Sequence, residues 1–173
     1  MFHGLGRRLA GVILLLLAVD ASAEEARRLK WTELIPAHLA ATPLTPSAID
    51  HASPDPMAQP TPWGALAMSE LVVPELDAAR VRIPGFIVPL NITRDQTVDE
   101  FLLVPYFGAC VHVPPPPANQ IIYVTTSPGL AADRIYEAWE VEGVLRTAAV
   151  DSAMAQAAYQ IEADSVALYG GGR

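Results

Sequence analysis

Four consecutive prolines, Pro114 to Pro117, lie in the second half of the chain and restrict what this region can fold into. Proline has a fixed φ and no backbone N–H, so the run cannot continue a helix or serve as a central strand of a sheet. Such a run is expected to adopt a stiff polyproline II conformation. The sequence therefore predicts that a strand ends before Pro114 and that a rigid connection leads to the next element.

The residues directly before the prolines carry the chain's only cysteine, Cys110, and one of its four histidines, His112. Side chains two positions apart on an extended strand point to the same face. Ala109, Val111 and Val113 would form the other, apolar face of this strand. We therefore expect the thiol and the imidazole to project side by side where the strand meets the prolines. This pair is the main candidate for chemistry in the sequence.

The N-terminus has the features of a cleavable export signal. Arg7 and Arg8 precede an apolar run from Leu9 to Val19, and Ala21-Ser22-Ala23 follows as a small-residue cleavage site. The apolar run is shorter than the roughly 20 residues that span a bilayer, which argues against a membrane anchor. We predict that residues 1–23 are a signal peptide and that the mature chain is periplasmic or secreted, with no transmembrane segment.

The charge of the chain limits the classes of partner. The formal net charge is −8 at pH 7, whereas nucleic-acid binding needs clustered Lys and Arg. Nucleic acid is therefore not an expected partner, and cations or basic protein surfaces fit better. A single cysteine cannot form an internal disulfide, so stability must come from an apolar core. A free thiol in an oxidising compartment requires burial, metal ligation or redox work.

A proline-rich arm, residues 24–75, is predicted between the signal and an ordered domain at residues 76–170. Within the arm, Trp31 to Pro36 predicts a short helix that ends at the proline. The following residues are expected to form an extended linker or a segment that lies on the surface. Its prolines recur with Ser, Thr, Asp and Ala between them, at Pro43, Pro46, Pro54, Pro56, Pro60 and Pro62.

The ordered domain has five regions of strand character, separated by proline, glycine and polar turns. Gly85 indicates a bend or bulge in the first region, and the second should be broken around Pro105 and Gly108. Asp151 to Ala158 has helical spacing, with Asp151 as the N-cap. We predict a mainly β fold, a small five-stranded OB-like barrel with one short helix and an extended N-terminal arm; a β-sandwich is the alternative. The strand regions are residues 81–90, 100–113, 121–126, 136–146 and 159–169.

Two motifs resemble the DUF3299 family of exported bacterial proteins. They are Pro84-Gly-Phe-Ile-Val-Pro-Leu90 and Gly108-Ala-Cys-Val-His-Val-Pro-Pro-Pro-Pro-Ala-Asn-Gln120. The similarity covers about Leu76 to Tyr169, with a weaker match at Trp31 to Pro36. Some members are thought to be encoded beside ABC-transporter components in zinc-responsive gene clusters. The resemblance implies a role in envelope metal handling or in assisting an envelope ABC transporter.

Cys110 and His112 have the ligand chemistry of a soft divalent metal site. Thiolate and neutral imidazole bind zinc at about 2.3 and 2.0–2.1 Å respectively, and copper(I) also suits a thiolate. We predict an exported, non-enzymatic protein that binds zinc through this pair or assists an envelope transporter. Asn119 and Gln120 are expected to support the site, for instance by orienting His112. Further ligands have no diagnostic spacing; the candidates are His38, His51, Asp99, Glu100, Glu140 and Glu142.

Three other interpretations stay open. The chain could be a structural or adaptor domain that binds a protein partner through the Pro114–Pro117 face, with Tyr106 as a neighbouring aromatic. It could be a Cys-dependent hydrolase in which His112 lowers the pKa of Cys110, although the sequence reveals no orienting third group. Cys110 could also be a small buried hydrophobe. A third ligand beside the pair would favour metal binding, and an exposed aromatic and proline surface would favour the adaptor.

Overall fold

The computed structural model describes residues 25–40, 67–109 and 115–170. Its strands, in chain order, are β1 (Arg27–Arg28), β2 (Arg80–Pro89), β3 (Thr97–Val104), β4 (Ile122–Ala131), β5 (Ala138–Arg146), β6 (Val150–Asp151), β7 (Gln156–Ala157) and β8 (Tyr159–Leu168). The α-helix within these ranges, α1, is short (Ala37–Ala40), and single 3-10 turns cover Trp31–Leu34, Met68–Glu70, Pro74–Leu76, Ala118–Gln120 and Ala132–Arg134. None of the helices in the described ranges is long and apolar enough to cross a bilayer.

Five of the strands close into a barrel. Their order is β2-β3-β4-β8-β5, and β5 pairs again with β2. Neighbouring barrel strands are antiparallel except β4 and β8, which are parallel. This arrangement matches an OB-fold, a five-stranded Greek-key barrel. The prediction of a mainly β, OB-like barrel with little helix is confirmed, and β1 is an additional strand that pairs in parallel with β2.

Gly85 lies where β2 changes its partner strand. Residues of β2 up to Phe86 pair with β5, and residues from Phe86 onward pair with β3. A Cβ atom at Gly85 would lie 2.8 Å from the carbonyl oxygen of Val104 and 2.9 Å from Cγ of Leu103. Only glycine lets β3 approach this closely. The sequence predicted a bend or bulge at Gly85, but the strand pairings continue through it without a register shift. The glycine instead permits a close approach of β3 to the backbone of β2.

The barrel interior is filled by alternate residues of its strands, because side chains alternate between the two faces of a strand. On β3, for example, Phe101 and Leu103 point inward and are fully buried. Burying one such side chain contributes about 1.5–3 kcal/mol, so this interior is a main source of stability. The fully buried interior side chains include Val81, Ile83, Val98, Phe101, Leu103, Ile122, Val124, Val141, Leu145, Tyr159 and Ile161.

A second apolar cluster covers the outer face of β2 and β3. Leu102 and Val104 alternate with the inward-pointing residues of β3, yet they are also fully buried. In OB-folds the outer face of the second and third barrel strands commonly binds oligonucleotides or oligosaccharides. These strands correspond to β3 and β4 here, so the second cluster shares only β3 with that face through its buried strand residues. The side chains that cover the outer face of β2 and β3 come from the connections that follow β3 and β5. We call this group the outer cluster; its buried members are Val88, Leu102, Val104, Ala109, Ile121 and Ala157.

The helix predicted from Asp151 to Ala158 is wrong, because this segment forms a hairpin in which β6 pairs with β7. Val150 lies opposite Ala157. Ser152 closes the turn: its backbone N–H donates to the carbonyl oxygen of Ala155 at 3.1 Å, and its Oγ accepts the N–H of Ala155 at 3.1 Å. A serine that bonds to nearby backbone competes with helix formation. Burial of Ala157 in the outer cluster further favours the hairpin over the helical propensity of the alanines.

The described part of the arm packs against the barrel. Leu29 and Leu34 are buried in the same apolar cluster as the barrel interior. Nε1–H of Trp31 donates to the carbonyl oxygen of Pro84 at 2.7 Å, which places the arm beside β2. The short helix predicted after Trp31 is present as the 3-10 turn Trp31–Leu34. The predicted signal peptide and the prolines between residues 41 and 66 lie outside the described residues.

Candidate functional site

The connection between β3 and β4, residues 105–121, carries the residues of the predicted site, and we call it the Cys–His connection. It turns at Gly108, whose φ of +83° lies in the left-handed region that glycine adopts without strain. Near its two ends, Ala109 and Ile121 are buried in the outer cluster together with Ala157. The chain therefore leaves and returns at the same place on the barrel surface.

Cys110, His112 and Pro114 lie outside the described residues. Their predicted arrangement, with the thiol and imidazole side by side before the prolines, therefore stays a prediction. Within the ranges that the structure describes, no three His, Cys, Asp or Glu residues come together as a possible metal site.

The described prolines of the Cys–His connection form a partly covered segment. Pro116 is buried, and Pro115 and Pro117 are half-buried. The carbonyl oxygen of Pro117 accepts a hydrogen bond from the backbone N–H of Gln120 at 2.7 Å, which leads the chain into the turn Ala118–Gln120. These three prolines are therefore less accessible to a partner than a free polyproline face would be.

Asn119 is a buried amide without a hydrogen-bond partner. Its side chain is 0% exposed, and neither its Oδ1 nor its Nδ2 is bonded to any group that the structure describes. An unpaired buried polar group costs about 1–3 kcal/mol. The turn that carries Asn119 contacts β7, the strand whose Ala157 packs in the outer cluster with Ala109. The unpaired amide thus lies near the base of the Cys–His connection.

Gln120 uses its side chain to hold the arm. Its Nε2 donates to the backbone carbonyl oxygens of Trp31 and Asn119, each at 3.0 Å. The side chain is buried, so replacing it with an apolar residue would leave the carbonyl of Trp31 without this donor. Gln120 therefore links the last turn of the Cys–His connection directly to the arm.

Tyr159 is a second buried residue that bonds to the arm, and no sequence pattern indicated this role. Its hydroxyl donates to the carbonyl oxygen of Leu34 at 2.9 Å and accepts the backbone N–H of Val73 at 2.8 Å. Burial raises the pKa of Tyr159 to about 12, and the hydrogen bond from Val73 opposes this only in part. Both partners are far away in the sequence, so no local pattern could have identified this contact.

Three aromatic rings form a surface cluster next to the Cys–His connection. The ring of Phe107 contacts those of Phe86 and Tyr136 edge to face, with centroid distances of 5.9 and 6.3 Å. Phe107 and Tyr136 are 55% and 70% exposed. Tyr106, which the sequence analysis placed beside the site, is also exposed. We call Phe86, Phe107 and Tyr136 the aromatic cluster.

Two of the carboxylates considered as further ligands form ion pairs on the barrel wall. Glu140 pairs with Arg28 at 2.9 Å, and Glu142 pairs with Arg80 at 2.7 Å. These glutamates lie two positions apart on β5, so they form part of a charged ladder across neighbouring strands. His38, on the short helix α1, is exposed. The structure brings none of these three side chains together.

Glu100 has a different partner on the outer face of the barrel. It accepts a hydrogen bond from the hydroxyl of Tyr123 at 3.0 Å. Burial, then this hydrogen bond and the charge of Glu100, raise the pKa of Tyr123, so its hydroxyl stays a donor. Oδ1 of the neighbouring Asp99 is buried and has no partner among the described residues. His51, the remaining candidate ligand, lies outside the described residues.

A match to a protein-family model confirms the family relationship that the two sequence motifs indicated. A family model described as "Protein of unknown function (DUF3299)" matches residues 31–168. The chain belongs to the DUF3299 family. The crystal structure of a DUF3299 family protein from Pseudomonas aeruginosa PAO1 is 38% identical to it, with a TM-score of 0.68, and the match covers 86% of this chain and 99% of that one. No functionally curated protein matches the chain.

The DUF3299 match begins at Trp31, so it includes the arm residues that Gln120 and Tyr159 hold. In this DUF3299 chain the outer cluster covers the outer face of β3, one of the two strands that OB-folds commonly use for ligands. Two unusual features remain at the Cys–His connection. One is the buried side-chain amide of Asn119, which has no partner among the described residues, and the other is the exposed aromatic cluster.

Proposed function

We propose that this DUF3299 protein is exported to the periplasm or secreted and binds a soft divalent metal ion, most simply zinc, through Cys110 and His112. The role is non-enzymatic. The observation that supports it is the buried amide of Asn119, which lacks a hydrogen-bond partner among the described residues and lies near the base of the Cys–His connection. A fold retains such a group at a cost in stability, which calls for a function that uses the amide.

A histidine that ligates a metal can use the oxygen of such an amide as a hydrogen-bond acceptor. Its second ring N–H is normally donated to a carboxylate or carbonyl oxygen, which fixes the tautomer and raises the basicity of the ligating nitrogen. Oδ1 of Asn119 is a suitable acceptor for His112 in the metal-bound state. The thiolate of Cys110 would supply the soft ligand and part of the negative charge that zinc requires.

A site with only two ligands from the Cys–His connection suits a protein that passes its metal on. Water or a partner would complete the coordination of the ion, and a partner's ligand could replace water during transfer. An envelope ABC-transporter component is the partner that the family resemblance suggests. The acidic net charge of −8 also favours a cationic cargo.

The direct test is zinc binding to the reduced mature protein, residues 24–173, by metal content and calorimetric titration. We expect stoichiometric zinc in the wild type and its loss in Cys110→Ser and in His112→Ala. His38→Ala is the matched control, because His38 is exposed on α1, and it should bind zinc as the wild type does. Absence of zinc binding in the wild type, or binding that neither ligand substitution changes, would refute the metal site.

A protein-binding adaptor is the second candidate, and the exposed aromatic cluster favours it. For an adaptor, the sequence predicted a binding surface on Pro114–Pro117, but Pro116 is buried. Phe107 and Tyr136 are far more accessible than these prolines. An adaptor would therefore use the aromatic cluster as its contact surface, with the prolines as a rigid support that holds Phe107 in position.

A further inference from the structure

The aromatic cluster is an exposed apolar surface and a candidate binding site. Phe107 and Tyr136 present more than half of their side chains to solvent while their rings remain in contact with each other. Adjacent exposed apolar groups on a folded domain commonly mark an interaction site. Exposed aromatic side chains are the surfaces on which peptide-recognition domains commonly bind proline-rich segments.

We propose that the occupant is the proline-rich part of the arm of the same chain, residues 41–66. This segment contains six prolines and no Lys or Arg, so it can present a largely apolar polyproline II surface. Such a segment loses little conformational entropy on docking, because proline already restricts the backbone. The proposal does not depend on metal binding at Cys110 and His112.

The segment starts and ends close to the Cys–His connection. Leu39, just before it, and Met68, just after it, pack in one apolar cluster with Ala118, which lies in that connection. Earlier in the arm, Trp31 bonds to Pro84, two residues before Phe86 of the aromatic cluster. The arm therefore runs beside β2 at Pro84 before residue 41, and the residues on both sides of the segment pack near the Cys–His connection.

The length of the segment is sufficient for this contact. A polyproline II chain advances about 3.1 Å per residue, so half of residues 41–66 reaches roughly 40 Å. This exceeds the roughly 30 Å diameter of a small domain. The segment can therefore reach the aromatic cluster and return to Met68 without disturbing the described parts of the arm.

Hydrogen exchange of the mature protein, residues 24–173, tests the proposal. We expect amides within residues 41–66 to exchange at least about tenfold more slowly than those of a synthetic peptide of the same sequence. In Phe107→Ser/Tyr136→Ser this protection should disappear. Ile92→Ser is the matched control, since Ile92 is 53% exposed elsewhere on the barrel, and it should retain the protection. Tyr136→Ser alone should reduce it, and it provides a variant whose folding is not at risk.

Three results would overturn the assignment. Exchange of residues 41–66 at the rate of the free peptide, or protection that the double variant leaves unchanged, would show that the segment does not occupy the aromatic cluster. Protection that is lost on tenfold dilution of the wild type would assign the occupant to a second copy of the chain.

Discussion

The barrel interior and the junction between the arm and the barrel are both buried, but different interactions hold them. The interior consists of apolar side chains such as Phe101 and Leu103. At the junction, Gln120 and Tyr159 bond to backbone groups of the arm, and Tyr159 also belongs to the interior. Apolar burial depends on volume and area, whereas these hydrogen bonds depend on single atoms in fixed positions.

The difference indicates where the fold can tolerate change. An apolar interior accepts substitutions that conserve volume. A buried hydroxyl or amide has no close substitute, because its removal leaves its partners unpaired. We therefore expect interior truncations to weaken the whole barrel, and substitutions at the junction to release the arm from it.

The largest effect is expected from truncation of the interior. Phe101→Ala removes a fully buried ring from β3 and should lower the free energy of unfolding by about 3–5 kcal/mol, because the cavity left behind is only partly filled by relaxation. Urea denaturation measures this change. Ile92→Ala, at an exposed position, should change stability by less than about 0.5 kcal/mol. Similar losses in the two variants would contradict the description of the interior.

The next effect concerns the junction. Tyr159→Phe keeps the ring but leaves the carbonyl of Leu34 and the N–H of Val73 without the hydroxyl, which should cost about 1–3 kcal/mol. The arm should also become more sensitive to trypsin after Lys30. Tyr123→Phe is the control, because the hydroxyl of Tyr123 bonds to the side chain of Glu100 rather than to the arm. Equal trypsin sensitivity in both variants would show that the hydroxyl of Tyr159 does not hold the arm.

The same hydroxyl predicts a dependence of stability on alkaline pH. The pKa of Tyr159 is raised to about 12 in the folded protein, whereas an unfolded tyrosine titrates near about 10. The hydroxyl of Tyr159 therefore contributes fully to the free energy of unfolding below pH 10. This contribution is lost as the pH rises towards 12, because the unfolded state releases the proton more easily. Urea denaturation between pH 8 and 11 should show a steeper decline for the wild type than for Tyr159→Phe. Parallel declines would contradict the assigned burial of the hydroxyl.

The fold was largely predictable from the sequence because each strand carries its own pattern. The alternation of apolar residues, with turns between them, located the ends of β2, β5 and β8 to within about two residues. The second predicted region extended past Val104, where β3 ends, and the third stopped at Thr126, whereas β4 continues to Ala131. Gly85 was predicted as a bend or bulge, but its role is the close approach of β2 and β3. The helix predicted from Asp151 to Ala158 was wrong because the tertiary structure favours a hairpin there. Its helical spacing was overridden by the turn at Ser152 and by burial of Ala157 in the outer cluster.

The polar residues of the junction were harder to predict. Tyr159 stands in an alternating strand and looks like any interior aromatic, and its partners lie 86 and 125 residues away. Gln120 was singled out for its position after the prolines, but nothing in the sequence indicated a bond to Trp31. Contacts of this kind depend on how distant segments meet, so they become visible only in three dimensions.

Asn119 and Gln120 give the smallest but most discriminating comparison. Both are buried amides in one turn, yet among the described residues only the Gln120 side chain has a hydrogen-bond partner outside that turn. Gln120→Leu should lower the free energy of unfolding by about 1–2 kcal/mol, because it leaves the carbonyl of Trp31 without its donor. Asn119→Leu should leave stability unchanged or raise it by up to about 1 kcal/mol, since it removes an unpaired amide and keeps a similar volume.

The different stability changes expected for Gln120→Leu and Asn119→Leu test the role proposed for Asn119. If its amide is reserved for His112 in the metal-bound state, Asn119→Leu should weaken zinc binding by about 10–100-fold, although the metal-free protein is as stable as the wild type. Calorimetric titration with zinc and urea denaturation of the metal-free protein separate the two effects. A loss of metal-free stability equal to that of Gln120→Leu would show that Asn119 already has a structural partner. In that case its burial would no longer support a metal site.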